Sequence, residues 1–313
     1  MNETPTEYTP QEPFKEDIII YGYKSFQLNK DQYYIDEETG TSIIRNIGGK
    51  TTTLVDGNDL ISDILFYDNK IYYCETFTSN LYVMDLNGEN KQKLLDCDTT
   101  EGFYGGDFHS WYIYNGNLFL QSGMVLYKID LSTYQWELFN HDIGHYQIYN
   151  DCLYFIDHAE TSFTIYKQDL KTKEIEIVLG EGVTYPKNEI YSNFVISEDG
   201  TFYITQRLPY RRLISYKDGK IEVIEDFENI EDYFDSFDEL SLRYHNGYLY
   251  YVKKTDNVYN LYRYDCIVKQ IKEKITALDE YKRTGYVNDN AFYYYKGYLT
   301  KPQDLIQIEL NNK

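Results

Sequence analysis

The same phrase is written seven times along these 313 residues: an apolar run, a tight turn of Asn, Asp or Gly, a Tyr-rich run, and a Tyr/Leu strand closing on a second turn. The clearest copy is Leu65 to Asp96, LFYDNKIYYCETFTSNLYVMDLNGENKQKLLD, which reads as four short strands broken at Asp68-Asn69, at a polar stretch and at Asn87-Gly88. Two-residue hairpin loops of the primed type need positive φ at their central residues. Asn, Asp and Gly tolerate this at least cost, so each such dipeptide predicts an antiparallel pair. The first turn recurs as Asn29-Lys30-Asp31, Asp68-Asn69, Asn115-Gly116, Asn150-Asp151, Asp199-Gly200, Asn246-Gly247 and Asn288-Asp289. Its mean spacing of about 43 residues falls in the range of four-stranded propeller blades.

The fold expected is therefore all-β, a seven-bladed β-propeller of four-stranded antiparallel blades. Seven units consume nearly the whole chain, which gives one domain over residues 17–313 after a flexible tether at 1–16. The last unit offers three strands, in GYVNDN, AFYYYKGY and DLIQIEL. The N-terminal segment Asp17 to Tyr23, DIIIYGY, is expected to supply the fourth and so close the ring, removing an open sheet edge. Runs such as DILFY, KIYYC and DCLYFI lack clean alternation, as expected of strands buried on both faces. The 37 tyrosines belong mainly to this packing: a buried ring contributes roughly 1.5 to 3 kcal/mol while its hydroxyl reaches a polar rim.

Charge bounds the partners. With 51 acidic against 30 basic residues the net charge is −21, which repels nucleic-acid phosphates and disfavours anionic membrane surfaces. The apolar runs are far short of the roughly 20 residues of a spanning helix. Residues 1–16, MNETPTEYTPQEPFKE, hold three of the six prolines and read as what remains of an exported chain once a leader, with its lipid or wall anchor, is gone. This places the protein outside the cell or on its surface; a disordered cytoplasmic tail is the competing reading. The four cysteines are expected as free thiols, since Cys74 and Cys97 fall about two strand spacings apart, roughly 9 to 10 Å, and Cys152 and Cys266 in blades that are not neighbours.

The units QYYIDEETGTSIIRNIGGKTTTLV and KIYYCETFTSNLYVMDLNGENKQKLL, with Tyr34-Ile35-Asp36 and Tyr73-Cys74-Glu75 near the signature tetrapeptide, resemble the YWTD-type repeat of low-density-lipoprotein-receptor propellers. More closely, the chain looks like bacterial propellers related to that group, over roughly residues 26–313. The resemblance implies an extracellular or cell-envelope module that binds protein or glycan.

In a four-stranded blade the connections between second and third strands, and from one blade to the next, emerge at one end; the tight turns emerge at the other. The first set contains the longest and least repetitive segments, 97–110, 141–145, 181–192 and 227–240. Binding residues concentrate on loops carried by a rigid scaffold. Phe103, Tyr104 and Phe108, with Gly102, Gly105 and Gly106 freeing the backbone and Trp111 beside them, form a candidate platform for sugar rings or apolar peptide side chains. A plug folded back over the channel is the competing reading. Tyr185, Tyr191, Tyr233 and Phe234 add aromatics in the later segments.

His109, His141, His145 and His158, near Asp107, Asp142 and Asp157, would suit a borderline metal or a general base if they converged; unrelated surface histidines are the plainer reading. The segment Asp226 to Leu240 packs seven acids among aromatics and reads as a short acidic helix, without the spacing of a calcium loop. Ser197 to Phe202 is close to the Asp-box of sialidase propellers but one residue short, and reads as an ordinary turn. No cofactor is expected. The function expected is non-catalytic recognition of peptide, protein or glycan at the long-loop face, the alternative being a lyase or hydrolase with a histidine-rich site at the channel mouth.

Overall fold

The computed structural model describes residues 19–20, 25–28, 31–36, 38–76, 78, 80–95, 108–157, 164–179, 190–208, 212–227, 237–255, 258–278, 286–288, 291–295 and 305–310. The tether at 1–16 and Cys97 lie outside them. The chain packs as two compact units, Met1–Phe139 and Asn140–Lys313.

In the first unit, β1 is Ile19–Ile20. A first sheet follows from β2 (Ser25–Leu28), β3 (Asp31–Ile35), β4 (Ser42–Ile47) and β5 (Lys50–Asp56), and a second from β6 (Ile61–Tyr67), β7 (Lys70–Glu75), β8 (Leu81–Asp85) and β9 (Gln92–Leu95). A third is built from β10 (Phe108–Tyr114), β11 (Asn117–Ser122), β12 (Val125–Asp130) and β13 (Trp136–Asn140).

The second unit holds four more sheets. The fourth comprises β14 (Ile143–Tyr149), β15 (Cys152–Asp157), β16 (Ile165–Asp169) and β17 (Ile175–Leu179), and the fifth β18 (Ile190–Ile196), β19 (Phe202–Leu208), β20 (Arg212–Lys217) and β21 (Lys220–Asp226). The sixth comprises β22 (Phe237–His245), β23 (Tyr248–Thr255), β24 (Val258–Asp265) and β25 (Gln270–Leu278), and the seventh β26 (Tyr286–Asn288), β27 (Ala291–Tyr295) and β28 (Leu305–Glu309). Within this unit the first strands β14, β18, β22 and β26 lie side by side in turn. The architecture is all-β, a succession of antiparallel sheets as in a propeller. No helix among the described residues is long and apolar enough to cross a membrane.

The turn chemistry works as the sequence predicts. Asp68-Asn69, Asn115-Gly116, Asn150-Asp151 and Asn246-Gly247 all carry two consecutive positive φ angles, between 46° and 80°. At the first turn of the fifth sheet only Gly200 is positive, at 79°, because Ser197 and Asp199 bind the Thr201 amide and make a longer loop. A second device recurs at the other tight turn. The Asp that ends the third strand turns its carboxylate back onto the amides two and three residues on: Asp130 accepts from Ser132 and Thr133, Asp169 from Lys171 and Thr172, Asp265 from Ile267 and Val268. The next residue ties that turn to the first one, Leu131 N–H to Gly116 O, Leu170 N–H to Asp151 O and Cys266 N–H to Gly247 O. The Ser132 hydroxyl, at 2.6 Å, and then the Thr133 and Ser132 amides hold the Asp130 carboxyl down at about 2. Asp265 is itself buried, so Asp265→Ala is expected to cost roughly 1 to 2 kcal/mol, read as a lower urea midpoint; an unchanged midpoint would show that water replaces the carboxylate.

Both faces of the internal strands are buried, each against a different neighbour. Phe194, Ile196, Phe202, Ile204, Ile214 and Tyr216 of the fifth sheet pack on Ile156, Ile165 and Leu179 of the fourth. The alternate residues Val195, Tyr203 and Leu213 pack on Leu249, Tyr251 and Tyr264 of the sixth. Tyr250 and Val252, one step along β23, pack on Phe292 and Tyr294 of the seventh. This two-sided period of two is why the strand sequences show no polar face. Aromatic pairs directly opposite across second and third strands, Tyr73 with Tyr82, Phe155 with Tyr166 and Tyr251 with Tyr262, stack at 5.1 to 5.7 Å. Cys74, Cys152 and Cys266 are free thiols.

The N-terminal strand departs from expectation. It does not complete the last sheet: β1 pairs antiparallel with β10, Ile19 opposite Tyr112 and Ile20 opposite Trp111, and the last sheet has three strands among the described residues. The first strand of a sheet presents a row of unpaired N–H and C=O groups, a template for an apolar segment that reaches it.

Candidate functional site

Bulges mark one end of the sheets. In β6, β10, β14, β18 and β22 the register against the second strand slips at the start of the strand: at Ile61/Asp63, Phe108/Ser110, Ile143/Tyr146, Ile190 to Asn193, and Asp238/Arg243. Toward the tight turn the same strands pair regularly. An extra residue bends the strand and re-aims its side chains, a device concentrated beside functional sites. This end is the one from which the long connections emerge.

In the first unit the connection 57–61 is bonded on both sides at this end. Gly57 N–H donates to Thr41 O and Ile61 N–H to Gly40 O, at 3.2 and 2.8 Å, on the first sheet's loop. Thr76 N–H donates to Leu60 O at 2.6 Å and Thr78 N–H to Asp59 Oδ2 at 2.9 Å on the second sheet's. The Thr78 hydroxyl lies 2.9 Å from Asp59 and 3.0 Å from Glu75, so two carboxylates converge on one hydroxyl.

In the second unit the fifth and sixth sheets meet at this end in a charged, aromatic group. Glu225 of β21 accepts from the Tyr251 hydroxyl and from Lys253 Nζ, both on β23. The Lys253 ammonium lies 4.4 Å from the Tyr262 ring centroid and 6.0 Å from that of Phe227. Burial and then the Glu225 charge push the Tyr251 phenol far above its ordinary value, so it stays a donor.

A third group lies between β14 and β18. Alternate residues of β14 bind the β18 segment: His145 Nε2 lies 2.9 Å from Phe194 O, Gln147 Oε1 accepts from Ile196 N–H at 2.9 Å, and the Tyr149 hydroxyl donates to Glu198 O at 2.6 Å. A carbonyl only accepts, so Nε2 carries the imidazole hydrogen. The ring meets Phe194 edge-on at 4.8 Å. Burial, with the Arg243 charge adding to it and the Phe194 bond opposing it, pushes His145 down from 6.5 to about 4. Unfolding restores the ordinary value, so the unfolded chain binds the proton first. The stability tied to this ring is complete above about 6.5 and is lost as pH falls from there to about 4, by about 3 kcal/mol. His145→Gln is expected to flatten that part of the urea stability profile; an identical slope in the variant would refute the assignment.

The other predicted residues are placed as follows. Phe103, Tyr104, Tyr185, Tyr233, Phe234 and His158 lie outside the described residues. Phe108, His109 and Tyr191 belong to strands β10 and β18 rather than to loops, as do Phe237 to Leu240 of the expected acidic helix, which begin β22. The bulges explain this: they break the alternation by which a strand start is recognised. Trp111 is 0% exposed, which makes it a core residue instead of a surface for stacking. His141 is exposed, and no group of three or more His, Cys, Asp or Glu suited to a metal is present among the described residues. Sequence reasoning missed Glu225 and Lys253, which carry no local motif. It also missed the Asp ending the third strand, whose recurrence at 85, 130, 169 and 265 was a readable signal.

No family model matches the sequence, and no curated protein does either. Solved structures do match in fold. A puromycin-hydrolyzing peptidase of Mycobacterium tuberculosis aligns over 93% of this chain and 52% of its own, with a TM-score of 0.62 and 10% identity. A Lactobacillus plantarum protein aligns over 82% and 84%, with a TM-score of 0.51 and 13% identity. The extracellular domain of BT4673, a hybrid two-component system of B. thetaiotaomicron, aligns over 81% and 33%, with a TM-score of 0.51 and 16% identity. The chain spans about half the length of the puromycin-hydrolysing proteins it matches. At these identities the likeness is one of fold alone, that of propeller proteins.

Proposed function

We propose that this chain is a seven-bladed propeller acting as a recognition module outside the cytoplasm, and that it binds a peptide, protein or glycan at the long-loop end of its sheets. The observation that carries this reading is the asymmetry between the two ends. At the tight-turn end the Asp caps and the bonds between turns consume the polar groups locally. At the other end five first strands are bulged, the non-repeating segments emerge, and their roots are fixed by side-chain bonds such as Asp59 to Thr78 and Glu225 to Lys253. A stiff scaffold with variable segments at one end lowers the ordering cost of binding. The resemblance to YWTD-type propellers and the extracellular placing of the BT4673 domain support export.

Replacing Phe103, Tyr104 and Phe108 together with Ala tests the reading on peptide and glycan arrays. The expected result is a nearly unchanged melting temperature with capture abolished. A large loss of stability would assign the three to the core, and undiminished capture would move the site elsewhere.

A further inference from the structure

Repeated ring pairs across second and third strands give this fold flat aromatic surfaces, and cations settle on them. Lys91 Nζ lies 4.5 Å from the Tyr82 ring centroid and 5.3 Å from that of Tyr73, but Lys91 is exposed and the arrangement is open. The sixth sheet differs. Its pair, Tyr251 and Tyr262, is stacked at 5.7 Å and 16°, and the neighbouring sheet adds the Phe227 ring and the Glu225 carboxylate around one ammonium, that of Lys253. Ring faces with a carboxylate at one side are the chemistry that recognises an alkylammonium group.

The cage is not sealed. The side chains of Lys253 and Glu225 keep 18% and 13% of their exposure, so solvent reaches the ammonium. The occupant is an unbranched side chain whose stem lets its head move out to water. If another ammonium takes its place, the ion pair, the Tyr251 bond and the ring contacts are all preserved, and Glu225 is never left buried without a cation. A net charge of −21 attracts cationic partners to such a site.

We propose that Glu225, Tyr251, Tyr262 and Phe227 form a binding site for a lysine side chain of a basic peptide, with Lys253 as its displaceable resident. This rests on the recognition reading above and names its partner class.

n-Butylammonium, a lysine side-chain mimic, is titrated into the wild-type protein carrying 13C-lysine, with sodium chloride as the ionic-strength control. The Lys253 ε-methylene resonance, shifted upfield by the Tyr262 ring, is expected to move to the position of solvated lysines with n-butylammonium and to stay with sodium. In calorimetry, Lys253→Met is expected to bind the probe at least about tenfold more tightly than wild type, and adding Glu225→Gln to remove that gain. An unmoved resonance at the highest soluble probe concentration, or a gain independent of Glu225, overturns the proposal. If Lys253→Met does not fold, the wild-type titration decides alone. Peptide capture that depends on the 97–110 aromatics but ignores Glu225→Gln sinks the cage and spares the recognition reading. Failure to capture any peptide or glycan sinks that reading while the n-butylammonium titration still decides the cage.

Discussion

Glu225→Ala is expected to destabilise the protein by about 1.5 to 3 kcal/mol, the usual cost of removing a charged acceptor from its donors in a partly buried ion pair. The side chains of Glu225 and Lys253 are only 13% and 18% exposed, and Glu225 also holds the Tyr251 hydroxyl. Its loss takes the carboxylate acceptor from the buried Tyr251 phenol, while the Lys253 ammonium turns out to water. Replacing both charges, in Glu225→Met with Lys253→Met, is expected to recover part of the deficit, since apolar groups of similar volume fill the space without desolvation while the Tyr251 hydroxyl still lacks its carboxylate. Urea unfolding followed by tyrosine emission gives both values. A single-variant loss below about 1 kcal/mol would mean that water solvates the pair as at a surface.

Trp111→Ala is expected to cost about 3 to 5 kcal/mol through the cavity it leaves. Trp111 is fully buried in β10, with Leu120 opposite on β11 and Ile20 opposite on β1. The measurement separates two roles cleanly, because a stacking surface would be lost with little change in the melting temperature. A variant that melts like wild type but fails to capture ligand would return Trp111 to the binding face.

The difference between these two sites and the residues first singled out has a physical source. A platform of Phe103, Tyr104 and Phe108, with Trp111 beside it, is expected from the sequence because CDTTEGFYGGDFHS is among the longest and least repetitive segments. The bulge between Phe108 and Ser110 produces that irregular pattern inside a strand. The same holds for His145, three residues into β14 and beside the bulge there. Glu225 and Lys253 read as ordinary polar strand residues, and only the packing of β21 against β23 brings them together.

What the sequence determined by itself was local. Asn, Asp and Gly set the hairpins because few other residues accept consecutive positive φ, and Asn246-Gly247, at 48° and 80°, behaves as its chemistry requires. Their repetition set the number of strands per sheet and the antiparallel order within it. The two-sided burial of β7 and β15 was also legible, as the runs KIYYC and DCLYFI without alternation. Tertiary structure decided whatever depends on which backbone meets which. It placed Ile19–Ile20 on β10, joined His145 to the Phe194 carbonyl, and brought Lys253 against Glu225 of the neighbouring sheet. Hydrogen bonds within a hairpin are fixed by neighbours along the chain, whereas an edge pairing or an ion pair between sheets depends on groups far apart in sequence, for which no local pattern exists.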